Sequence, residues 1–173
     1  MQRNPGALGR DERGAWDQDG FFIRKGVFDA NEIATLRAAA ERVGARALQV
    51  SHDCADSYEI DGNRYCDAAG ATIQFEHQPG SATIRVIEPF HHLDAEVERI
   101  LDDPRLVDPM RDLVGSESVA LFTDKLNFKR PGGAEFPWHQ DSPYFAFECP
   151  HVDRLVSLQV YLDDATVENG CLW

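Results

Sequence analysis

Residues 127–141 run Asn127-Phe-Lys-Arg-Pro-Gly-Gly-Ala-Glu-Phe-Pro-Trp-His-Gln-Asp141, and how this stretch is read decides the fold. A run of β-forming residues from Val119 to Lys129 leads into it. Pro131-Gly132-Gly133 ends that run, since proline has no amide to give a ladder and glycine supports turn backbone. His139 and Asp141 then follow two residues apart. In extended backbone such residues point to the same side, so an imidazole nitrogen and a carboxylate oxygen can reach one cation. That mixture of donors suits Fe(II) and is two ligands of a 2-His-1-carboxylate triad. By itself His-x-Asp is equally a hydrogen-bonded surface pair, so its surroundings must decide.

Downstream, Leu155 to Leu162 partly alternates and reads as a strand, Glu168-Asn169-Gly170 as a turn, and Cys171-Leu172-Trp173 as the start of a third strand. A β-rich domain that stops just inside a strand reads as truncated. Upstream, Gly20-Phe21-Phe22-Ile23 is a short apolar run expected to form a strand. Asp29 and Glu32 have the spacing of a capping box, and Ile33, Leu36, Ala40 and Val43 follow at helical spacing, which predicts a helix over 30–48. Residues 51–70 are polar, carry the turn signal Asp61-Gly62, and are expected to be loop. Leu93 to Val114 reads as helix, broken near Pro104 and stopped by Gly115. The expected organisation is one domain over 1–173, helical from about 10 to 115 and β-rich from about 117.

The segment 127–141 and the following Ser142-Pro-Tyr-Phe145 resemble the metal-binding segment of the phytanoyl-CoA dioxygenase family, including its ectoine-hydroxylase branch. Leu162-Asp-Asp-Ala-Thr-Val-Glu-Asn-Gly-Cys-Leu-Trp173 resembles the segment after it, and Asp19-Gly-Phe-Phe22 with Gly26-Val-Phe28 is like the family's N-terminus. The resemblance implies a non-haem Fe(II), 2-oxoglutarate-dependent oxygenase with an α+β, mainly β fold: a double-stranded β-helix (jelly-roll, cupin-like) core behind N-terminal helices, incomplete at the C-terminus. It implies His139 and Asp141 as iron ligands, with a third histidine and a co-substrate-binding arginine beyond Trp173. It also implies that Asn127, Phe136 and Gln159 contact 2-oxoglutarate; Gln159 stands where the family has Ser or Trp. Thr123 and Lys125 share a strand face with Asn127, and with Trp138 and Gln140 they are candidates for the substrate side. The cofactors implied are Fe(II), 2-oxoglutarate as co-substrate, and O2, and the products succinate, CO2 and a hydroxylated small molecule. Related halogenases lack the carboxylate, so Asp141 favours hydroxylation.

Other readings stand beside these. Phe136 and Trp138 are equally core aromatics, and Lys125 a solvated or edge-guarding lysine. Arg85, on an expected strand, either pairs with acidic neighbours or faces the substrate cavity. His91 and His92 point opposite ways in extended chain, which makes them structural or pocket-mouth residues rather than joint ligands. A non-catalytic truncated homologue and a cupin-like enzyme of another metal are the alternatives to an oxygenase.

The whole chain narrows the partner. Its 173 residues include 17 basic and 30 acidic side chains, a formal net charge of −13. Such a surface disfavours nucleic acid and anionic membranes, both of which need a positive footprint. A small molecule is the expected partner, and no oligomeric state is implied. There is no secretory apolar region at the N-terminus. The four cysteines, Cys54, Cys66, Cys149 and Cys171, lie far apart without a Cys-x-x-Cys pair, so reduced thiols in a cytoplasmic protein are expected.

Overall fold

The computed structural model describes residues 6–52, 54, 57–146 and 150–172. In chain order the elements are α1 (Arg10–Asp19), α2 (Ala30–Ser51), β1 (Ser57–Ile60), β2 (Asn63–Ala68), β3 (Ala71–Phe75), β4 (Ile84–Glu88), α3 (Ala95–Ile100), α4 (Pro104–Val114), β5 (Leu126–Asn127) and α5 (Ser142–Phe145). Single 3-10 turns lie at His91–Leu93 and Val152–Arg154. The five strands form one antiparallel sheet in the order β1-β2-β3-β4-β5, so the architecture is mixed α+β. The chain divides into two compact units. The first comprises Met1–Glu32, Arg99–Ala120 and Trp138–Val160, the second Ile33–Glu98, Leu121–Pro137 and Tyr161–Trp173.

Turn chemistry builds the sheet of the second unit. Asp61-Gly62 joins β1 to β2, and Ala69-Gly70 joins β2 to β3, each as a two-residue turn with φ positive at both positions (51° and 77°, then 54° and 76°). That is the type I′ geometry, whose twist matches the flanking strands. The expected loop over 51–70 is therefore corrected over 57–68, which forms a hairpin with an exposed first strand and with Tyr58 stacked on Tyr65 across the pair. On β3, Ala71, Ile73 and Phe75 alternate inward. They meet Ala39, Val43 and Ala47 of α2, together with Ile84, Ile87, Leu93, Val97 and Phe128, in one apolar core. Gly44 of α2 has a reason to be there: a Cβ would come within 3.0 Å of the Phe128 ring, so the helix gives up propensity for a close ring contact.

The cysteine expectation is also corrected. Cys54 and Cys66 form a disulfide, because the hairpin folds the residues ahead of β1 back towards β2. Cys171 is a free thiol, and Cys149 lies outside the described residues.

In the first unit, capping and guanidinium pairs do the organising. Glu12 accepts from the Gly9 amide at the start of α1, and Gly20 ends that helix in the left-handed conformation. Arg24 holds both oxygens of Glu12 at 2.7 Å and donates to the Gly6 and Ala7 carbonyls. The Asp29–Glu32 capping box forms as expected. Asp103 caps α4 ahead of Pro104, and Gly115 (φ 73°) ends it. Arg105 grips Glu32 and Asp103 together, and these hydrogen bonds hold the Asp103 carboxyl below its ordinary value.

Three strand expectations fail, for one reason. Residues 20–23, most of 119–129, and 155–162 have β-forming composition but, among the described residues, no ladder partner; only Leu126–Asn127 pairs, with β4. β-propensity describes fit to a neighbouring strand, not a backbone preference, and without the neighbour the chain stays irregular. Cys171 and Leu172 are unpaired in the same sense, and Trp173 lies outside the described residues.

Candidate metal and co-substrate site

In the first unit, His139 Nε2 and Asp141 Oδ1 lie 3.3 Å apart. They come together by a different route from the expected extended backbone: Asp141, the residue just before α5, is in helical conformation. Its carbonyl accepts from the Tyr144 amide, while its carboxylate makes no cap hydrogen bond and turns to His139. The His139 ring meets Tyr144 edge-on, with centroids 6.1 Å apart.

Two ligands about 2.1 Å from an octahedral ion and about 90° apart sit roughly 3 Å from each other, so this pair fits a divalent cation. An imidazole nitrogen with a carboxylate oxygen is the donor set that Fe(II) takes. Among the described residues no group of three such donors converges.

Around the pair the surface is aromatic and open. Trp138 is 81% exposed and Tyr144 61%, and Gln140 is exposed too; Gln159 is exposed further along the chain. Trp138 is therefore not a core residue. Aromatic groups left outside mark a surface built to be covered or to receive something.

The co-substrate and substrate candidates of the second unit lie around β5. Asn127 pairs with Val86 of β4, and Phe136 is 37% exposed, with Arg85 and Lys129 against its ring. Thr123 Oγ1 donates to Glu88 Oε1 at 2.8 Å, and Lys125 Nζ reaches Glu88 Oε2 at 3.1 Å. Neither lies in a strand, so the shared strand face expected for them with Asn127 does not form. Glu88 was not singled out in the sequence, although it lies three residues before His91, which was. Arg85 is 3% exposed on β4 and pairs with Glu76, which resolves its two readings in favour of an acidic neighbour. Asp124 accepts from His91 Nδ1 and from the Phe90 and His91 amides, and His92 meets the Ala69 carbonyl, so both histidines are structural. A hollow of about 320 Å³ lined by residues 67–72, Glu88 and Pro89 contains none of the predicted site residues except at its Glu88 rim, where Thr123 and Lys125 attach.

Known proteins resemble the chain over most of its length. A probable alpha-ketoglutarate-dependent hypophosphite dioxygenase of Stutzerimonas stutzeri is 28% identical over 157 residues, covering 88% of this chain and 47% of that protein. Ectoine dioxygenases of Bordetella bronchiseptica and Sphingopyxis alaskensis are 31% and 32% identical, over 96% and 98% of this chain and 48% and 49% of their own length. The chain thus spans about half the length of the curated relatives it matches. No solved structure matches significantly. The family model for phytanoyl-CoA dioxygenase (PhyH) matches residues 16–173, which takes in both units and the His139–Asp141 pair. The chain belongs to the phytanoyl-CoA dioxygenase family.

Proposed function

We propose that the protein is a non-haem Fe(II)- and 2-oxoglutarate-dependent dioxygenase that hydroxylates a small polar organic molecule. The observation that carries this is the His139–Asp141 pair, whose nitrogen and oxygen lie at chelating distance with the carboxylate not used as a helix cap. Relatives named for action on hypophosphite and ectoine support a compact polar substrate. The net charge of −13 weighs in the same direction, against a polyanionic thioester.

In this reading His139 and Asp141 hold the iron. A histidine and an arginine from the part of the protein that 1–173 does not contain complete the triad and bind the far carboxylate of the co-substrate. The same part closes a jelly-roll core over the open aromatic surface around Trp138. Bound iron with 2-oxoglutarate and O2 supplies oxidative decarboxylation to succinate and CO2, coupled to hydroxylation. The chain's own residues bind and orient. Asn127, Phe136 and Gln159 contact 2-oxoglutarate. Thr123, Lys125, Trp138 and Gln140 face the substrate. A cytoplasmic setting suits these co-substrates; there the Cys54–Cys66 bond would have to persist against reducing thiol pools.

The test is an anaerobic titration of the protein at its natural length with Fe(II) and then 2-oxoglutarate. We expect one iron per chain and a visible absorption band when 2-oxoglutarate is added, both abolished by His139→Ala. Tight binding of zinc or manganese with no response to 2-oxoglutarate would replace this reading with a different metalloenzyme. Residues 1–173 alone should bind iron weakly, because their described residues bring two donors together, not three.

A further inference from the structure

Arg85 occupies an irregular point in the sheet. β3 and β4 pair as Gln74 with Val86 and then Phe75 with Ile84, which leaves Arg85 as the extra residue of a bulge. Bulges re-aim a side chain. Here the result is four consecutive buried positions, Ile84 to Ile87, with a guanidinium among them.

That guanidinium is 3% exposed, and its ion-pair partner Glu76 is 6% exposed at 3.7 Å. Nη1 lies 3.1 Å from His77 Nε2; arginine only donates, so His77 accepts. Nη2 donates to the Glu135 carbonyl at 2.8 Å, and the guanidinium carbon lies 4.0 Å from the centroid of the Phe136 ring. Glu76 works on the same segment from the other side. Its Oε2 accepts from the Ala134 amide at 3.0 Å, and its Oε1 lies 2.6 Å from where a Cβ on Gly133 would be. One buried ion pair therefore touches four successive residues, 133 to 136. Among the described residues, buried Arg85 Nε has no hydrogen-bond partner, a cost that the other contacts of the guanidinium offset.

We propose that Arg85, braced by Glu76, is a positioning residue that fixes the 133–136 segment and presents the Phe136 ring to the co-substrate. This rests on the oxygenase reading for what Phe136 does, while the clamp itself is in the structure. Arg85 acts through the segment and does not touch the co-substrate. Lysine keeps the charge but loses the planar fork that serves Glu135 and stacks on the ring.

The experiment is 2-oxoglutarate binding by calorimetry, anaerobically with Fe(II), on the natural-length protein and its Arg85→Lys, Phe136→Leu and doubly substituted forms. Amide exchange at Ala134 is followed in parallel. Arg85→Lys should weaken 2-oxoglutarate about tenfold, the size expected when a supporting residue is lost, while Fe(II) affinity changes less than about twofold. Its effect should vanish in the Phe136→Leu background, as coupled residues require. Ala134 should exchange faster in Arg85→Lys while β3 amides do not; faster exchange throughout would mean global destabilisation and overturn the clamp. If Arg85→Lys does not fold, Glu76→Gln, which keeps size and one acceptor oxygen, must show the same pattern or the proposal fails. Unchanged 2-oxoglutarate affinity in Arg85→Lys, or equal losses in both backgrounds, would overturn this inference alone. A wild-type protein that binds iron but no 2-oxoglutarate would sink the oxygenase reading, and the role assigned to Phe136 with it.

Discussion

The two units are held by different physics. The second has a packed interior in which Ile73, Phe75, Ile87 and Val43 are each 1% exposed or less. The first has, among its described residues, no Val, Leu, Ile, Phe, Tyr or Trp that is buried. It relies on Arg24 with Glu12, Arg105 with Glu32 and Asp103, and helix caps. Apolar burial is non-directional and scales with area. Partly exposed ion pairs contribute little each and weaken with salt and acid. The metal-ligand candidates sit in the unit held more weakly, so a side chain there can matter greatly for chemistry and hardly at all for stability.

The widest separation should come from Asp141→Ala. Turnover by the natural-length protein falls below detection, while stability stays within about 0.5 kcal/mol, because the carboxylate and its His139 partner are both exposed to solvent. A matching drop in melting temperature would show that the pair is structural after all. Phe128→Ala should be the reverse. It empties a buried site against Gly44 and costs about 3–5 kcal/mol by denaturant unfolding. A cost under about 1 kcal/mol would mean that the second unit's core is looser than it looks.

Arg24→Ala, in the first unit, should cost about 1 kcal/mol. The lost bonds are charge-assisted, but both partners are roughly a fifth exposed and therefore screened. The loss should shrink in high salt, whereas that of Phe128→Ala should not. The smallest effect is that of pH. A hydrogen bond from Arg24 holds the Glu12 carboxyl below its ordinary 4.5, and hydrogen bonds from Arg105 hold Asp103 below its ordinary 3.8. Depressed carboxyl values give stability that is full above the ordinary values and is lost as pH falls through the depressed ones. Acidification from about pH 5 should therefore increase exchange in α1 and α4 before the β3 amides respond. Simultaneous loss would erase the contrast between the units. Glu41 and Asp94 of the second unit, lowered by Arg130 and Arg42, set the size of its smaller acid response.

What the sequence disclosed follows the same division between local and distant information. The Asp29–Glu32 box, Pro104 and Gly115 were legible because caps are settled within a few residues. The His139–Asp141 pair was legible from its spacing, although the backbone reaches it through a helical turn at Asp141. Strands over 20–23 and 155–162 were over-read, because composition cannot show whether a partner exists. The 57–68 hairpin was missed although Asp61-Gly62 signalled it, since β1 is exposed throughout and β2 buries only Cys66, which leaves no apolar alternation to read. The Cys54–Cys66 bond and the Glu76–Arg85 clamp depend on strand register, which no single segment contains.

The turn at Ala69-Gly70 has a use of its own. Ala69 is exposed and holds φ at 54°, a conformation in which an alanine Cβ crowds the following carbonyl. The neighbouring hairpin answers the same geometric demand with aspartate and glycine, residues suited to it. Selection has therefore left one of two equivalent corners unimproved, as expected of a chain that need only exceed a stability threshold. Ala69→Asn would supply the preferred Asn-Gly corner, with a gain of about 0.5–1 kcal/mol. That margin could offset destabilising substitutions made elsewhere in the same sheet.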